Sequence, residues 1–477
     1  MRGNVVELIA GGARAHPEHP AIVHGGTTWS YGELLARADA IAGRLREIFT
    51  EGRVQTVPRV GLFCANGADY VALALGILQA RACLVPIATE LAPPEREALV
   101  QLTAQHLVIS AGTHPWLPNS SVSEESGAMQ WRWARVAAAA QFPEEEFNAL
   151  DPAFVRFSSG TTGASKGVVL GHETLLARVV SANRRLRITP DDRVLWTLPM
   201  AHHFAVSIVL YLLSGATVVL EDSHLAEEVL TTARATGATV IYGSPFHHAL
   251  LASEPSGRDW PTLRLAVSTA AALPEETARA FAARFGVPLS QGLGIIEAGL
   301  PVLNTDAAKP LSVGCPDDFE VSLRAASGAE VPLGEIGELF LRGPGMFDAY
   351  LMPWRPRAEV LRDGWFATGD LALRDRDGHV FLKSRTKSVI NVGGMKFFPE
   401  EVEAVLDAHP AVEASRVRGV PHPRWEMIPV AEIVAPLRPK PAELTRHCRE
   451  QLAGYKVPLR FEFVETLPRT ASGKLKR

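Results

Sequence analysis

From about residue 55 to about residue 295, short apolar runs alternate with stretches whose apolar positions recur at helical spacing. Val60–Cys64, Cys83–Ile87, His106–Ser110, Ala153–Phe157, Arg193–Thr197, Ala216–Leu220, Thr239–Tyr242 and Leu263–Val267 read as strands. Most are rich in Val, Ile and Leu without strict alternation, the pattern of parallel strands covered on both faces. Asp69–Gln79 and Pro274–Phe285 have the length and spacing of helices between them. This order predicts an α/β fold of layered parallel sheets. Ala205 to Leu220 reads as a buried helix, a turn at Gly215 and a buried strand. Ser207, Ser214, Gly215 and Thr217 interrupt it, so it is too short and broken to span a bilayer.

After about residue 310 the pattern changes. Glycine and proline become dense around Gly334–Glu338 and Gly343–Gly345, which predicts short strands and turns in a β-rich subdomain. Beyond Arg385 a small α+β module is expected: a strand at Ser388–Val392, a helix at Pro399–His409, and strands at Ala414–Val420 and Val430–Val434. Ala137–Ala140 is read as helix, and no internal repeat is present. A chain of 477 residues exceeds one compact core. The expected division is a large N-terminal domain, residues 1–386, with its β-rich part at about 310–386, and a small mobile C-terminal domain, residues 387–477.

Composition narrows the class of partner. Apolar residues make up 47% and charged residues 21%, as in ordinary globular proteins. The 48 basic and 52 acidic residues leave a net charge of -4, which offers no electrostatic reason for a nucleic-acid or anionic-membrane partner. Cys64, Cys83, Cys315 and Cys448 are far apart and form no C-x-x-C pair, which argues against a disulfide framework or zinc site and for a reducing compartment. The first residues lack the apolar core of a signal peptide, so a cytoplasmic location is expected.

The strongest chemical signal is the run Phe157-Ser158-Ser159-Gly160-Thr161-Thr162-Gly163-Ala164-Ser165-Lys166-Gly167. A buried strand leads directly into glycines, hydroxyls and one lysine. Glycines admit backbone N–H groups close to an anion, hydroxyls add donors, and Lys166 adds a point charge, which together suit a polyphosphate. The run is not a Walker A loop, because Ser165 stands at the second glycine position and Gly167 follows the lysine. Gly292-Leu293-Gly294-Ile295-Ile296-Glu297 likewise fails as a dinucleotide fingerprint, with Glu297 at the third glycine position.

Ser158–Gly167 resembles the phosphate loop of the adenylate-forming superfamily, which includes acyl- and aryl-CoA synthetases, adenylation domains of peptide synthetases and firefly luciferase. The resemblance continues in order along nearly the whole chain. Leu198–His202 resembles the family's L-P-x-x-H segment, and Gln291–Glu297 its glycine-aromatic-glycine-x-Thr-Glu segment. Gly337–Leu339 with Arg342–Pro344 resembles G-E-L…R-G-P, and Gly364–Asp370 resembles G-W-x-x-T-G-D. Ser384–Lys387 and Gly393–Lys396 resemble the hinge region, and Pro468–Lys474 the C-terminal lysine motif.

The resemblance implies an ATP-dependent ligase. It would form an acyl-AMP, release pyrophosphate, and pass the acyl group to coenzyme A or to the phosphopantetheine of an acyl carrier protein. No carrier domain follows Arg477, so a carrier is expected as a separate chain. The nucleotide would be held by Ser158, Ser159, Gly160, Thr161, Thr162, Gly163 and Lys166, with Thr161 also counted among the catalytic residues. Ala271, Gly292, Leu293 and Gly294 would border the adenine. Asp370 and Arg385 would take the ribose. Glu297 would help hold Mg²⁺, a hard cation suited to carboxylate and phosphate oxygens. Lys474 would stand between the substrate carboxylate and the α-phosphate and offset their repulsion. Lys387 would be the hinge about which the small domain swings.

Three positions depart from the family pattern. Leu293 replaces an aromatic residue, Ile296 a threonine, and Ser268–Ala271 a more glycine-rich stretch. None removes a charge, so activity is expected to persist. Family members that activate α-amino acids carry an aspartate at the position held here by His202, and a histidine is a poor counter-ion for an ammonium. The acid is therefore expected to lack an α-amino group. His202, His203, Tyr242, Phe246 and His247 are the candidate acid-pocket residues. Two other readings share the fold: a luciferase-like oxidase of the adenylate, and a non-catalytic nucleotide-binding partner subunit.

Overall fold

The computed structural model describes residues 3–112, 115–118, 122–126, 129–136, 142–158, 166–269, 273–305, 309–385 and 389–467. They fall into two compact units. The large one comprises 3–89 and the described parts of 100–156 and 167–383. The small one comprises Glu90–Leu99 and the described parts of Phe157–Lys166 and Ser384–Arg477.

Two large sheets build the large unit. The first is eight-stranded, in the order Gly299–Asn304, Leu289–Ile295, Leu265–Ser268, Val240–Gly243, Arg193–Trp196, Thr217–Leu220, Pro20–His24, Thr27–Ser30. Its inner strands are parallel, as their unbroken apolar runs predict, and each outermost strand returns antiparallel. The second is nine-stranded and runs from Arg355–Pro356 through Ala349–Tyr350, Lys166–Gly171, Pro152–Ser158, Cys83–Ile87, Arg59–Cys64 and Leu107–Ala111 to Met129–Arg135 and Val122–Ser126. The expected layered parallel sheets are thus present, with antiparallel strands added at their edges. The Pro20–Ser30 and Val122–Arg135 hairpins were not anticipated; the strand each places at a sheet edge, Thr27–Ser30 and Val122–Ser126, is largely polar in sequence.

Between the sheets the helix Ala68–Gln79 is buried on nearly every side, as its all-round apolar sequence requires. The helix Tyr31–Glu51 opens with a capping box: Ser30 Oγ accepts the Glu33 N–H at 3.2 Å, and Glu33 Oε2 accepts the Ser30 N–H at 2.9 Å. Asp192 ties the amino ends of the first sheet. Its Oδ1 accepts from Thr239 Oγ1 at 2.8 Å and Arg264 Nε at 2.6 Å, and its Oδ2 accepts the Thr189 N–H at 2.9 Å. The carboxyl ends are thereby left for other work.

Residues 200–220 hold a short helix Met200–His203, a π-helical turn Phe204–Ile208, a helix Val209–Leu213, a left-handed Gly215 and the strand Thr217–Leu220. The expected order is present, with an additional widened turn. An apolar run that is buried all round carries no phase signal from which such an insertion can be read.

A four-stranded sheet follows: Glu320–Arg324, Ile336–Arg342, Phe366–Arg374 and Val380–Arg385. The small unit has a five-stranded sheet of Met395–Phe397, Ile390–Val392, Glu426–Val434, Ala414–His422 and Arg460–Phe463, with helices Pro399–Asp407 and Pro441–Gln451. Phe397, Val402, Leu406, Ile433, Leu444 and Cys448 form its core. Ala137–Ala140 lies outside the described residues. No helix of the described residues is long and apolar enough to cross a membrane.

Candidate functional site

The chain order of the first sheet reverses at Arg193–Trp196. The next strand, Thr217–Leu220, lies on one side of it, and the one after, Val240–Gly243, on the other. Open α/β sheets bind ligands at the carboxyl ends of strands beside such a reversal. Trp196 and Tyr242 face one another in register across it, their rings stacked at 5.6 Å and 22°. His203 meets both edgewise, at 5.6 Å from Trp196 and 6.3 Å from Tyr242. Tyr211 lies against Trp196 at 5.9 Å.

The loop after Trp196 is pinned. The Trp196 indole N–H donates to Leu198 O at 2.7 Å, Asn66 Nδ2 donates to Leu198 O at 2.9 Å, and Asn66 Oδ1 accepts the Met200 N–H at 2.8 Å. These bonds set the start of the short helix that carries His202 and His203, both half-buried. Phe246 and His247 open the helix after Tyr242. His247 Nδ1 lies 2.8 Å from Ser244 Oγ and serves as part of that helix's cap. Burial pushes His247 and the fully buried His248 down to about 4, so both are neutral near pH 7.

The neighbouring strand ends add polar groups. Thr269 Oγ1 lies 3.4 Å from Gly292 O, and Thr269 is a hydrogen-bond partner of Tyr242. Gly294 is exposed beside it, whereas Leu293, 5% exposed, packs in the core opposite Val302. Glu297 sits in the turn between Leu289–Ile295 and Gly299–Asn304. Its Oε1 accepts the Tyr350 O–H at 2.9 Å, and among the described residues its Oε2 accepts no hydrogen bond. Tyr350 pairs with Val168 in the strand Lys166–Gly171, so this bond ties the Glu297 turn to the strand that leaves the phosphate-loop motif. Burial, followed by the Glu297 charge, raises the Tyr350 phenol, which stays protonated as a donor.

Two arginines, one buried and one half-buried, share this neighbourhood. Arg178, 2% exposed, donates to backbone carbonyls of Ile296, Glu297 and Gly345. Arg156, in the strand Pro152–Ser158, is the other. Burial pulls each guanidinium down to about 10, and the Glu297 carboxylate works in the opposite direction on both.

Asp370 is held separately in the four-stranded sheet. Thr368, Gly369 and Asp370 bulge opposite Leu339, with Gly369 at φ 74°. Thr368 Oγ1 donates to Leu339 O at 2.9 Å and accepts the Asp370 N–H at 3.0 Å.

Of the residues singled out from sequence, His202, His203, Tyr242, Phe246, Gly292, Leu293, Gly294 and Glu297 thus lie at one edge of the first sheet or in its turns. Ser158, Lys166 and Arg385 are described as strand backbone only, at the ends of Pro152–Ser158, Lys166–Gly171 and Val380–Arg385. Ser159, Gly160, Thr161, Thr162, Gly163, Ala271, Lys387 and Lys474 lie outside the described residues. Arg178 and Tyr350 were not anticipated. A signal for Arg178 existed: in the helix His172–Leu186 it falls on the same buried face as Leu175, Val179, Ala182 and Leu186, where a charged residue demands a reason.

A family model described as AMP-binding enzyme matches residues 10–351, and one described as AMP-binding enzyme C-terminal domain matches residues 401–474. A feruloyl-CoA synthase from Amycolatopsis is 34% identical over 97% of this chain and 95% of its own. A sulfoacetate–CoA ligase from Cupriavidus necator is 30% identical over 98% of this chain and 96% of its own. Among solved structures, a double mutant of o-succinylbenzoate CoA synthetase from Bacillus subtilis, bound with a product analogue, matches with a TM-score of 0.84. It is 25% identical and covers 100% of this chain and 98% of its own.

Proposed function

The chain belongs to the AMP-binding enzymes, and on that premise we propose that this acid–thiol ligase works through an acyl-AMP. It joins a carboxylic acid to coenzyme A at the expense of ATP. In the first half-reaction a carboxylate oxygen bonds the α-phosphorus as the bond to pyrophosphate breaks. In the second the thiol sulfur bonds the acyl carbon, AMP leaves, and the thiol proton passes to solvent. The observation that carries this reading is the meeting, at the carboxyl ends of one sheet, of an apolar aromatic cluster with the Glu297 turn.

Each described residue has a task in that scheme. Trp196, His203 and Tyr242, with His202 and Phe246, form the wall for the acid. Thr269 and the exposed backbone of Gly294 border the nucleotide, and Asp370 accepts from the ribose hydroxyls. Among the described residues no three His, Cys, Asp or Glu side chains cluster as a metal cage. One carboxylate whose second oxygen accepts no hydrogen bond among the described residues suits Mg²⁺, which takes most of its remaining ligands from phosphates and water. Glu297 would hold it, and the ion would supply charge neutralisation at the phosphates. Lys474 brings its ammonium to the carboxylate and α-phosphate, and Lys387 is the hinge between the two half-reactions.

Residues 196–213 and 240–253 contain no Asp, Glu, Lys or Arg. A wall without carboxylates leaves an α-ammonium unpaired in a dry pocket, which is costly. The acid is therefore one without an α-amino group, and the aromatic faces favour a planar, apolar remainder.

ATP–pyrophosphate exchange over a panel of aryl, short-chain, medium-chain and amino acids tests this reading, with Lys474→Ala as control. Exchange with one non-amino acid class, lowered on the order of 10²–10³-fold in the variant, is expected. ATP binding without exchange on any acid, or preference for an α-amino acid over its deaminated analogue, would overturn it. Comparing coenzyme A with a phosphopantetheinylated carrier then identifies the acceptor.

A further inference from the structure

The turn 296–298 has to present a carboxylate, yet its own backbone closes it with a single bond, from the Ala298 N–H to Ile295 O at 3.0 Å. The ladder between Leu289–Ile295 and Gly299–Asn304 ends at the pair Ile295–Gly299, so the carbonyls of Ile296 and Glu297 in the turn face no partner strand. Arg178 fills that gap. Its Nη1 donates to Ile296 O at 2.8 Å and its Nη2 to Glu297 O at 3.0 Å. Its Nε donates to Gly345 O at 2.9 Å, which links the turn to the loop preceding Tyr350. The Phe347 N–H adds a second donor to Glu297 O at 2.7 Å.

The chain makes room for this arginine on two sides. A Cβ on Gly299 would stand 2.6 Å from Arg178 Cγ, and a Cβ on Gly345, at φ 66°, would stand 2.6 Å from Arg178 Cα. Both contacts are closer than any side chain permits, so each glycine is needed for the approach. Tyr350 completes the arrangement from the other side. Its hydroxyl fixes Glu297 Oε1, and among the described residues Oε2 accepts no hydrogen bond. Main chain and carboxylate of Glu297 are thus each held, by residues 119 and 53 positions away.

We propose that Arg178 and Tyr350 are positioning residues that aim the Glu297 carboxylate at the divalent cation of the ATP complex. The proposal rests on the reading of Glu297 as the cation's protein ligand. Neither residue touches the reacting atoms. Residues that orient a metal ligand commonly govern affinity for the metal by about 10- to 100-fold. Lysine cannot replace Arg178, because one ammonium cannot span three carbonyls that a planar fork reaches together.

The test is a Mg²⁺ titration of binding to a non-hydrolysable ATP analogue, read by calorimetry, with thermal denaturation of each variant alongside. Arg178→Lys should raise the half-saturating Mg²⁺ concentration by about 10- to 100-fold, and Tyr350→Phe by several-fold. Tyr350→Phe removes only a hydroxyl, so it decides the matter if Arg178→Lys does not fold. Glu297→Gln separates the two claims. If it moves the Mg²⁺ midpoint while Tyr350→Phe and any folded Arg178→Lys leave it in place, the positioning role is overturned and the ligand role stands. If Glu297→Gln itself leaves the midpoint in place, the reading of Glu297 fails first. A drop in denaturation temperature with an unmoved Mg²⁺ midpoint marks a merely structural role and also overturns the proposal.

Discussion

Two carboxylates of the large unit are held in place by opposite means. Asp370 is set mainly through its immediate neighbours: Gly369 supplies the left-handed backbone, and Thr368 accepts the Asp370 N–H while donating to Leu339 O on the adjoining strand. Glu297 is set by residues far away in the chain, Arg178, Phe347 and Tyr350, brought to it by the packing of strands and helix. Local devices survive wherever the motif is copied. Distant ones exist only once the whole unit has folded. The comparison teaches that two carboxylate residues of one unit can differ in how much of the fold each one needs.

The sharpest way to break the comparison is to neutralise both groups. Glu297→Gln is expected to slow pyrophosphate exchange on the order of 10²-fold, because it removes charge where the reaction develops it. Asp370→Asn weakens a charge-assisted hydrogen bond in ground and transition state alike, so a rise of about tenfold in the KM for ATP with kcat nearly unchanged is expected. Equal effects of both variants on kcat would erase the distinction. Gly369→Ala probes the local device itself. Forcing a Cβ into φ 74° should cost about 1–2 kcal/mol in denaturant unfolding and raise the KM for ATP along with it. An unchanged unfolding midpoint would mean that the bulge tolerates a side chain.

A third carboxylate shows the outcome when neither device is present. Glu426, at the hairpin before Glu426–Val434, has Oε1 buried without a hydrogen-bond partner among the described residues. Burial pushes it up to about 7, against a smaller opposing pull from Lys396. A carboxyl raised in the folded state contributes stability that is full below its unfolded value near 4.5 and is lost as pH rises through 7. Glu426→Gln should flatten that slope and stabilise the protein at pH 8 by on the order of 1 kcal/mol, allowing for solvent screening. Denaturation midpoints at pH 5 and pH 8 check this, and a pH slope that persists in the variant would assign it to other groups.

Much of the architecture was legible beforehand because burial on both faces of a strand writes an unbroken apolar run. Arg193–Trp196 and Thr217–Leu220 lie within runs read as strands, and Val240–Gly243 overlaps one. The hairpins Pro20–Ser30 and Val122–Arg135 were not read beforehand, and their edge strands, Thr27–Ser30 and Val122–Ser126, carry mixed sequences. The π-turn at Phe204–Ile208 was not either, since an all-apolar stretch has no face to shift. The same division runs through the site. Gly364–Asp370 was legible as a motif, whereas the bulge that Thr368–Asp370 forms opposite Leu339 was not read beforehand. The stacking of Trp196 on Tyr242 follows from strand order, which no local pattern specifies.

The sequence by itself determined the family, the phosphate-loop motif, the candidate acid-pocket residues and the identity of Glu297 and Asp370. Those depend on residue type and short spacing, and such information is local. Only the tertiary structure decided that Arg178 grips the Glu297 turn and that Tyr350 reaches across from the other sheet. The Arg178 contact requires glycines at 299 and 345 to admit a buried guanidinium, and the two residues satisfy backbone and carboxylate groups of the Glu297 turn respectively. Buried polar groups must find partners wherever packing puts them, and packing is a property of the folded whole.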